Sequence, residues 1–222
     1  MNARTPSARR ERSGRPRSRD TPSREERKEV TRRAIISAAL RLLDDRSFSA
    51  LSLREVTRAA GIVPAAFYRH FESMEALGLV LIDESFRSLR DMLRAARGDL
   101  LDPDRVIGST VEILTAGVTE QREHWRFIAR ERSSGVPVMR YAIRTEIRLI
   151  TAELATDLGR FPALREWSTE DLNVLAGLFV NVMILIADAL EDADQAAVDD
   201  ITHTAAKQLR MIVVGAEGWR ST

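Results

Sequence analysis

Apolar residues recur at helical spacing along most of the chain, and no stretch alternates with period two for long. Ser23 followed by Glu26 is a capping-box pattern. Behind it, Val30, Ala34, Ala38 and Leu42 define one helical face, widened by Ile35, Ala39 and Leu43. Ser52-Leu53-Arg54-Glu55 is a second capping box. It predicts a short helix to Ala60, stopped at Gly61, whose missing Cβ permits the left-handed turn conformation. Pro64 suits a first helical position and predicts a second short helix over 64–70. Ser73 caps a long helix to about Arg97, with Leu77, Leu81, Phe86, Leu89 and Leu93 in register. Asp102-Pro103 opens a helix to about Thr119, and His124 to Arg132 reads as a short helix ended by Ser133-Ser134-Gly135. Pro137 opens another to Leu158, residues 159–167 form a loop, and Ser168 with Asp171 caps an apolar helix to Leu190. The last helix runs over 194–216.

The pattern predicts an all-α chain of about nine helices in three parts. Residues 1–22 form a disordered basic arm, 23–71 a three-helix helix-turn-helix domain, and 72–222 a larger helical domain, which would be an effector-binding and dimerisation domain if the helix-turn-helix belongs to a ligand-controlled regulator.

The segment 172–190 is nearly all apolar and close to the minimum length for a membrane span. Asn173, Asn181 and Asp188 interrupt it, and it lacks flanking anchors. The favoured reading is a helix buried on two sides, one against its own domain and one against a partner subunit. If 172–190 and 201–214 pair with their copies across a two-fold axis, a four-helix bundle forms the homodimer. No membrane partner is expected.

Charge changes the picture at one place. Residues 1–24 carry eight arginines against Glu11 and Asp20, whereas the chain as a whole has a formal net charge of only +1. A basic arm on an acidic body points to an anionic partner, nucleic acid first; a solvated tail that touches nothing is the plainer alternative. There is no cysteine, and no apolar leader follows Met1, so a cytoplasmic setting is expected. His70, His124 and His203 lie far apart without metal-ligand spacing, and no GxSxG, Walker or GxGxxG segment occurs. The expectation is no enzyme, no metal and no cofactor.

Residues 51–71 read LSLREVTRAAGIVPAAFYRHF. Leu53, Val56, Ala60, Ile62 and Phe67 are spaced to pack two short helices against the first helix, with the second projecting toward a major groove. The candidate DNA contacts follow. Ser52 and the backbone at Leu53 suit phosphate at a helix start, and Arg54 suits a base edge. Pro64, Ala65 and Ala66 allow close approach and thymine-methyl contact. Tyr68, Arg69 and His70 can donate to phosphate or guanine. The alternative is an ordinary helical hairpin with Tyr68 half-buried.

GIVPAAFYRHF after SLREVTRAA resembles the DNA-binding signature of TetR-family regulators. FSALSLREV (48–56), FYRHF (67–71), LGL (77–79) with Asp83-Glu84-Ser85, and ARERSSG (129–135) resemble more particularly the FabR/DesT-type regulators of unsaturated fatty-acid synthesis and desaturation. Val63, Thr57 and Met74 depart from the family pattern, which usually has a polar cap, an alanine and a phosphate-binding lysine there. The resemblance implies a repressor of lipid genes on an inverted-repeat operator, controlled by a fatty acyl-CoA.

An acyl chain needs an apolar channel and a CoA head needs cations. Leu81, Ile113, Ile147, Ile150, Phe179 and Met183 lie on apolar stripes, which serve equally as ordinary core. Arg130, Arg132, Arg140, Arg144 and Arg148 cluster near one helix turn and the next helix. They make either a phosphate-binding rim or a solvated face balanced by Glu131 and Glu146. Two other functions remain open: a TetR-type repressor sensing another hydrophobic molecule, and a non-specific nucleic-acid-binding protein.

Overall fold

The computed structural model describes residues 23–96, 103–133, 135–191 and 193–221. The arm expected at 1–22, the Asp102 cap and Ser134 lie outside the described residues. The described residues form nine α-helices and no strand: α1 (Arg24–Leu42), α2 (Leu53–Ala59), α3 (Pro64–Phe67), α4 (Met74–Ala96), α5 (Pro103–Glu120), α6 (Arg122–Glu131), α7 (Pro137–Leu158), α8 (Thr169–Glu191) and α9 (Gln195–Gly218).

The local signals act as read. Glu26 N donates to Ser23 Oγ at 3.1 Å, and Ser23 N to the Glu26 carboxylate, closing the first capping box. Ala76 N donates to Ser73 Oγ at 3.1 Å, and Asp171 N to Ser168 Oγ at 3.2 Å. Gly61 has φ +70° and ends α2 with a paired set of reversed bonds: Ile62 N to Thr57 O (2.9 Å) and Gly61 N to Arg58 O (3.2 Å). A Cβ at Gly61 would meet nothing within 4 Å, so Gly61→Ala tests backbone strain alone. It is expected to cost about 1–2 kcal/mol and to lower Tm by about 2–4 °C per kcal/mol in a thermal melt.

Two apolar clusters hold the chain. The first begins in the helix-turn-helix with Ile35, Leu43, Phe48, Val56, Phe67 and Phe71 and continues without a break into Leu77, Leu81 and Phe86 of α4, Phe127 of α6 and Met139 and Ile143 of α7. Each such buried side chain contributes about 1.5–3 kcal/mol of transfer free energy. Gly78 lies at the seam, where an added Cβ would stand 3.0 Å from Phe48 Cζ and 3.2 Å from Met139 Cε. The second cluster joins Val111, Leu114 and Val118 of α5 to Ile186 and Leu190 of α8 and Ala205 and Leu209 of α9.

Helix α8 contains the one stretch, Thr169–Leu190, that among the described residues is long and apolar enough to cross a membrane. One of its faces is core, and Asp188 on it pairs with Arg132 at 2.7 Å. Val174, Leu178 and Leu185 of α8 are exposed, as are Met211 and Val214 of α9, the helix that packs beside it. Helix α8 thus has one covered face and one bare apolar face.

Candidate nucleic-acid interface and effector cavity

Helix α2 begins at Ser52, whose hydroxyl and amide are both engaged by Glu55. Ser52 Oγ donates to Glu55 Oε2 at 2.6 Å, Ser52 N donates to the same oxygen at 3.0 Å, and Glu55 N donates to Ser52 Oγ at 3.3 Å. Arg46 pairs with Glu55 at 3.1 Å. Ser52 thus sets the helix start, while Arg54 beside it is exposed. Thr57, the departure from alanine, is buried and donates back to Leu53 O at 2.9 Å, so its hydroxyl is satisfied inside α2.

Helix α3 is a single turn, Pro64–Phe67, shorter than the span expected over 64–70. Beyond it Arg69 N donates to Ala66 O (3.2 Å) and His70 N to Phe67 O (2.8 Å), so the chain tightens into successive three-residue turns. Two contacts hold it there. Phe67 and Phe71 stack at 5.5 Å in the core, and Arg32 of α1 donates to His70 O at 3.3 Å while lying 4.6 Å over the Phe71 ring. Val63 supplies no side-chain cap.

Phe67 is fully buried, whereas Val63, Pro64, Ala65, Tyr68 (60% exposed) and Arg69 project outward. His70 is half-buried; its Nδ1 is shut off from solvent without a partner. Burial, with help from Lys28, Arg32 and Arg69, holds its imidazole below the ordinary histidine value, so it is neutral near pH 7. The interface therefore offers small apolar side chains, one phenol and the guanidiniums of Arg54 and Arg69, a set suited to duplex DNA.

Helix α6 grips this module. Arg130 donates to three carbonyls just past α1: Leu43 O at 2.8 Å, Asp44 O at 3.2 Å and Arg46 O at 3.1 Å. Glu131 is buried and accepts from Phe48 N at 2.7 Å, and Arg126 pairs with Asp44 at 2.7 Å. Next to His124 and Ser85, whose Nδ1 and Oγ are 2.8 Å apart, the same helix turns Trp125, Ile128, Ala129 and Arg132 the other way.

Those four residues line a cavity of about 690 Å³. Phe86 and Leu89 of α4, Ile147, Ile150 and Leu154 of α7, and Phe179 and Met183 of α8 line it from three sides. Thr110 of α5, Leu209, Val213 and Glu217 of α9, the loop after α7 with Phe161 and Trp167, and Trp219 and Ser221 after α9 also line it. Volume and lining suit an elongated apolar molecule.

Of the effector residues read from sequence, Arg132, Ile147, Ile150, Phe179 and Met183 meet at this cavity. Leu81 lies in the seam core, fully buried. Ile113 is half-buried on α5 outside the lining. Arg130 caps α1, and Arg144 and Arg148 are exposed on the outer side of α7, where Arg148 donates to Thr145 Oγ1. Arg140 also lies outside the lining. The five arginines thus do not converge on one rim. Sequence reasoning missed the loop and tail residues, because Trp125, Trp167 and Trp219 are far apart in the chain and meet only in the fold.

Residues 35–79 match the model of the bacterial regulatory proteins of the tetR family. Among solved structures, a TetR-family transcriptional regulator from Streptomyces coelicolor has TM-score 0.66 at 16% identity, over 85% of this chain and 97% of its own. The fatty acid degradation regulator FadR of Bacillus halodurans has TM-score 0.60 at 14% identity, over 86% and 97%. AibR, solved with isovaleryl coenzyme A and operator DNA, has TM-score 0.62 at 18% identity, over 79% and 96%. At these identities the likeness is one of fold. The chain has the DNA-binding module and the fold of the TetR-type transcriptional regulators.

Proposed function

We propose that this chain is a TetR-type transcriptional regulator that binds an inverted-repeat operator as a homodimer and answers to a small apolar effector. The observation that carries the reading is α6, which holds the DNA-binding module with Arg130 and Glu131 and lines the cavity with Ile128 and Arg132. A molecule filling the cavity presses on the helix that grips the end of α1 and Phe48, and through them the module that carries Tyr68 and Arg69. The effector acts by favouring one spacing of the two DNA-binding modules over another. The bare apolar face of α8 and α9 is the surface through which two copies pair, putting two recognition turns on one side of a duplex. Acting on DNA, the protein works in the cytoplasm.

A second, narrower reading is that the effector is a fatty acyl-CoA and the regulated genes are those of fatty-acid synthesis or desaturation. The FadR and AibR folds favour it.

Selection of bound duplexes from a random pool tests the regulator reading. Recovery of an inverted repeat, with protection of both half-sites in a footprint, is the expected result. Affinity independent of sequence, with a steep salt slope and no footprint, would instead make the chain a non-specific nucleic-acid-binding protein.

A further inference from the structure

The cavity narrows the effector's chemistry beyond the reading above, on which this inference rests. All three tryptophans of the chain, Trp125, Trp167 and Trp219, line it. Two of them sit where the loop after α7 meets the segment after α9. Ser221 pins these segments together: its Oγ donates to Asp171 Oδ2 at 2.6 Å and accepts from Ser168 N at 2.8 Å. This end is the mouth, since Glu166, Glu217 and Trp219 are all exposed there.

Each mouth tryptophan has a carboxylate close by in sequence that also lines the cavity, Glu166 for Trp167 and Glu217 for Trp219. The whole lining holds four carboxylates against two guanidiniums. Arg132 is engaged by Asp188 at 2.7 Å, and Asp157 by Arg160 at 3.2 Å. Neither Glu166 nor Glu217 is in an ion pair among the described residues. Arg220 can offset one of them, and Arg165 on the same loop is exposed and outside the lining.

We propose that the effector is an amphiphile with an apolar body and a cationic, ammonium-type head, and that the head sits at this mouth against Trp167 and Trp219. Indole faces attract a desolvated cation more strongly than any other side-chain ring. Glu166 and Glu217 add attraction of the same sign. A thioester of coenzyme A brings several negative charges to a wall whose own surplus is negative, and like charges across a contact oppose binding. The aliphatic chain takes the apolar interior between α4, α7 and α8 in either case, so the head alone decides.

Quenching of intrinsic tryptophan fluorescence reports on the cavity, because every tryptophan in the chain lines it. Four probes share one chain, each used below its micelle concentration: dodecyltrimethylammonium, dodecanol, dodecanoate and dodecanoyl-CoA. The ammonium probe is expected to bind at least about tenfold more tightly than either anion. In the Glu166→Gln, Glu217→Gln double variant that ratio falls toward one while dodecanol binding stays unchanged. Equal or tighter binding of dodecanoate or dodecanoyl-CoA by the unaltered protein overturns the cationic assignment and leaves the effector cavity standing. Preference that survives the double variant overturns the role given to these carboxylates. Failure of all four probes to quench overturns the effector reading itself, and this inference with it.

Discussion

Replacing Tyr68 and Arg69 together with alanine is expected to weaken operator binding about a hundredfold or more, with Tm lowered by no more than a few degrees. A side-chain contact to a base edge or phosphate is worth about 1–3 kcal/mol, and two are removed from each module. The structural cost is small because Arg69 is exposed and Tyr68 touches the core only through the edge of its ring, 5.6 Å from Phe67. Such an aromatic contact contributes about 0.5–1.5 kcal/mol beyond area. Phe67→Ala is the contrasting control. Phe67 is fully buried between the two short helices and α1, so its loss costs about 3–5 kcal/mol and removes DNA binding by unfolding the module. Fluorescence anisotropy on the selected duplex, paired with a thermal melt, separates the two routes. Unchanged Kd in the double variant would remove the turn after Pro64 from the DNA interface.

The features legible in the sequence were those decided by local backbone chemistry. Gly61 needs a positive φ, Pro64 needs a helix start, and Ser23, Ser52, Ser73 and Ser168 each reach an amide three residues on; none of these depends on the rest of the fold. The length of α3 was not legible, because Arg32 on His70 O and the Phe67–Phe71 stack, contacts with α1 and within the core, tighten the chain after Phe67. The effector wall was half legible. Periodicity marks a face as buried without saying what buries it, and Leu81 and Ile150 carry the same signal although one fills the seam and the other faces the cavity. Arg130 carried a motif, but its partners lie more than eighty residues away in α1 and the turn after it. The mouth had no periodic signal at all, since Ser168, Asp171 and Ser221 are joined only by tertiary hydrogen bonds.

Arg130→Ala is the change expected to separate sensing from DNA binding. The guanidinium spans three carbonyls at the end of α1, groups the helix itself cannot satisfy, and places positive charge where the helix dipole favours it. Two of the three bonds are part-buried and the one to Asp44 O is exposed, and losing a charged donor from such carbonyls costs about 1.5–3 kcal/mol. At about 2–4 °C per kcal/mol, Tm falls by several degrees. Arg130 itself lies outside the cavity lining, so whichever dodecyl probe quenches the unaltered protein should still quench the variant. What disappears is the coupling. A bound effector in a two-state regulator changes DNA affinity by a factor of about 5–150, and with α6 loosened from α1 that factor should fall toward one. Arg130→Lys should rescue much of the stability, because all three bonds leave one nitrogen, Nη1, and an ammonium likewise carries its donors on a single nitrogen. Arg144→Ala, on the exposed side of α7, serves as the control and should alter neither quenching nor coupling. An Arg130→Ala protein whose DNA affinity still responds fully to the probe would show that Arg130 is not the link, leaving the remaining α6 contacts, Glu131 with Phe48 N and Arg126 with Asp44, or α4 and the Gly78 seam, to carry the signal.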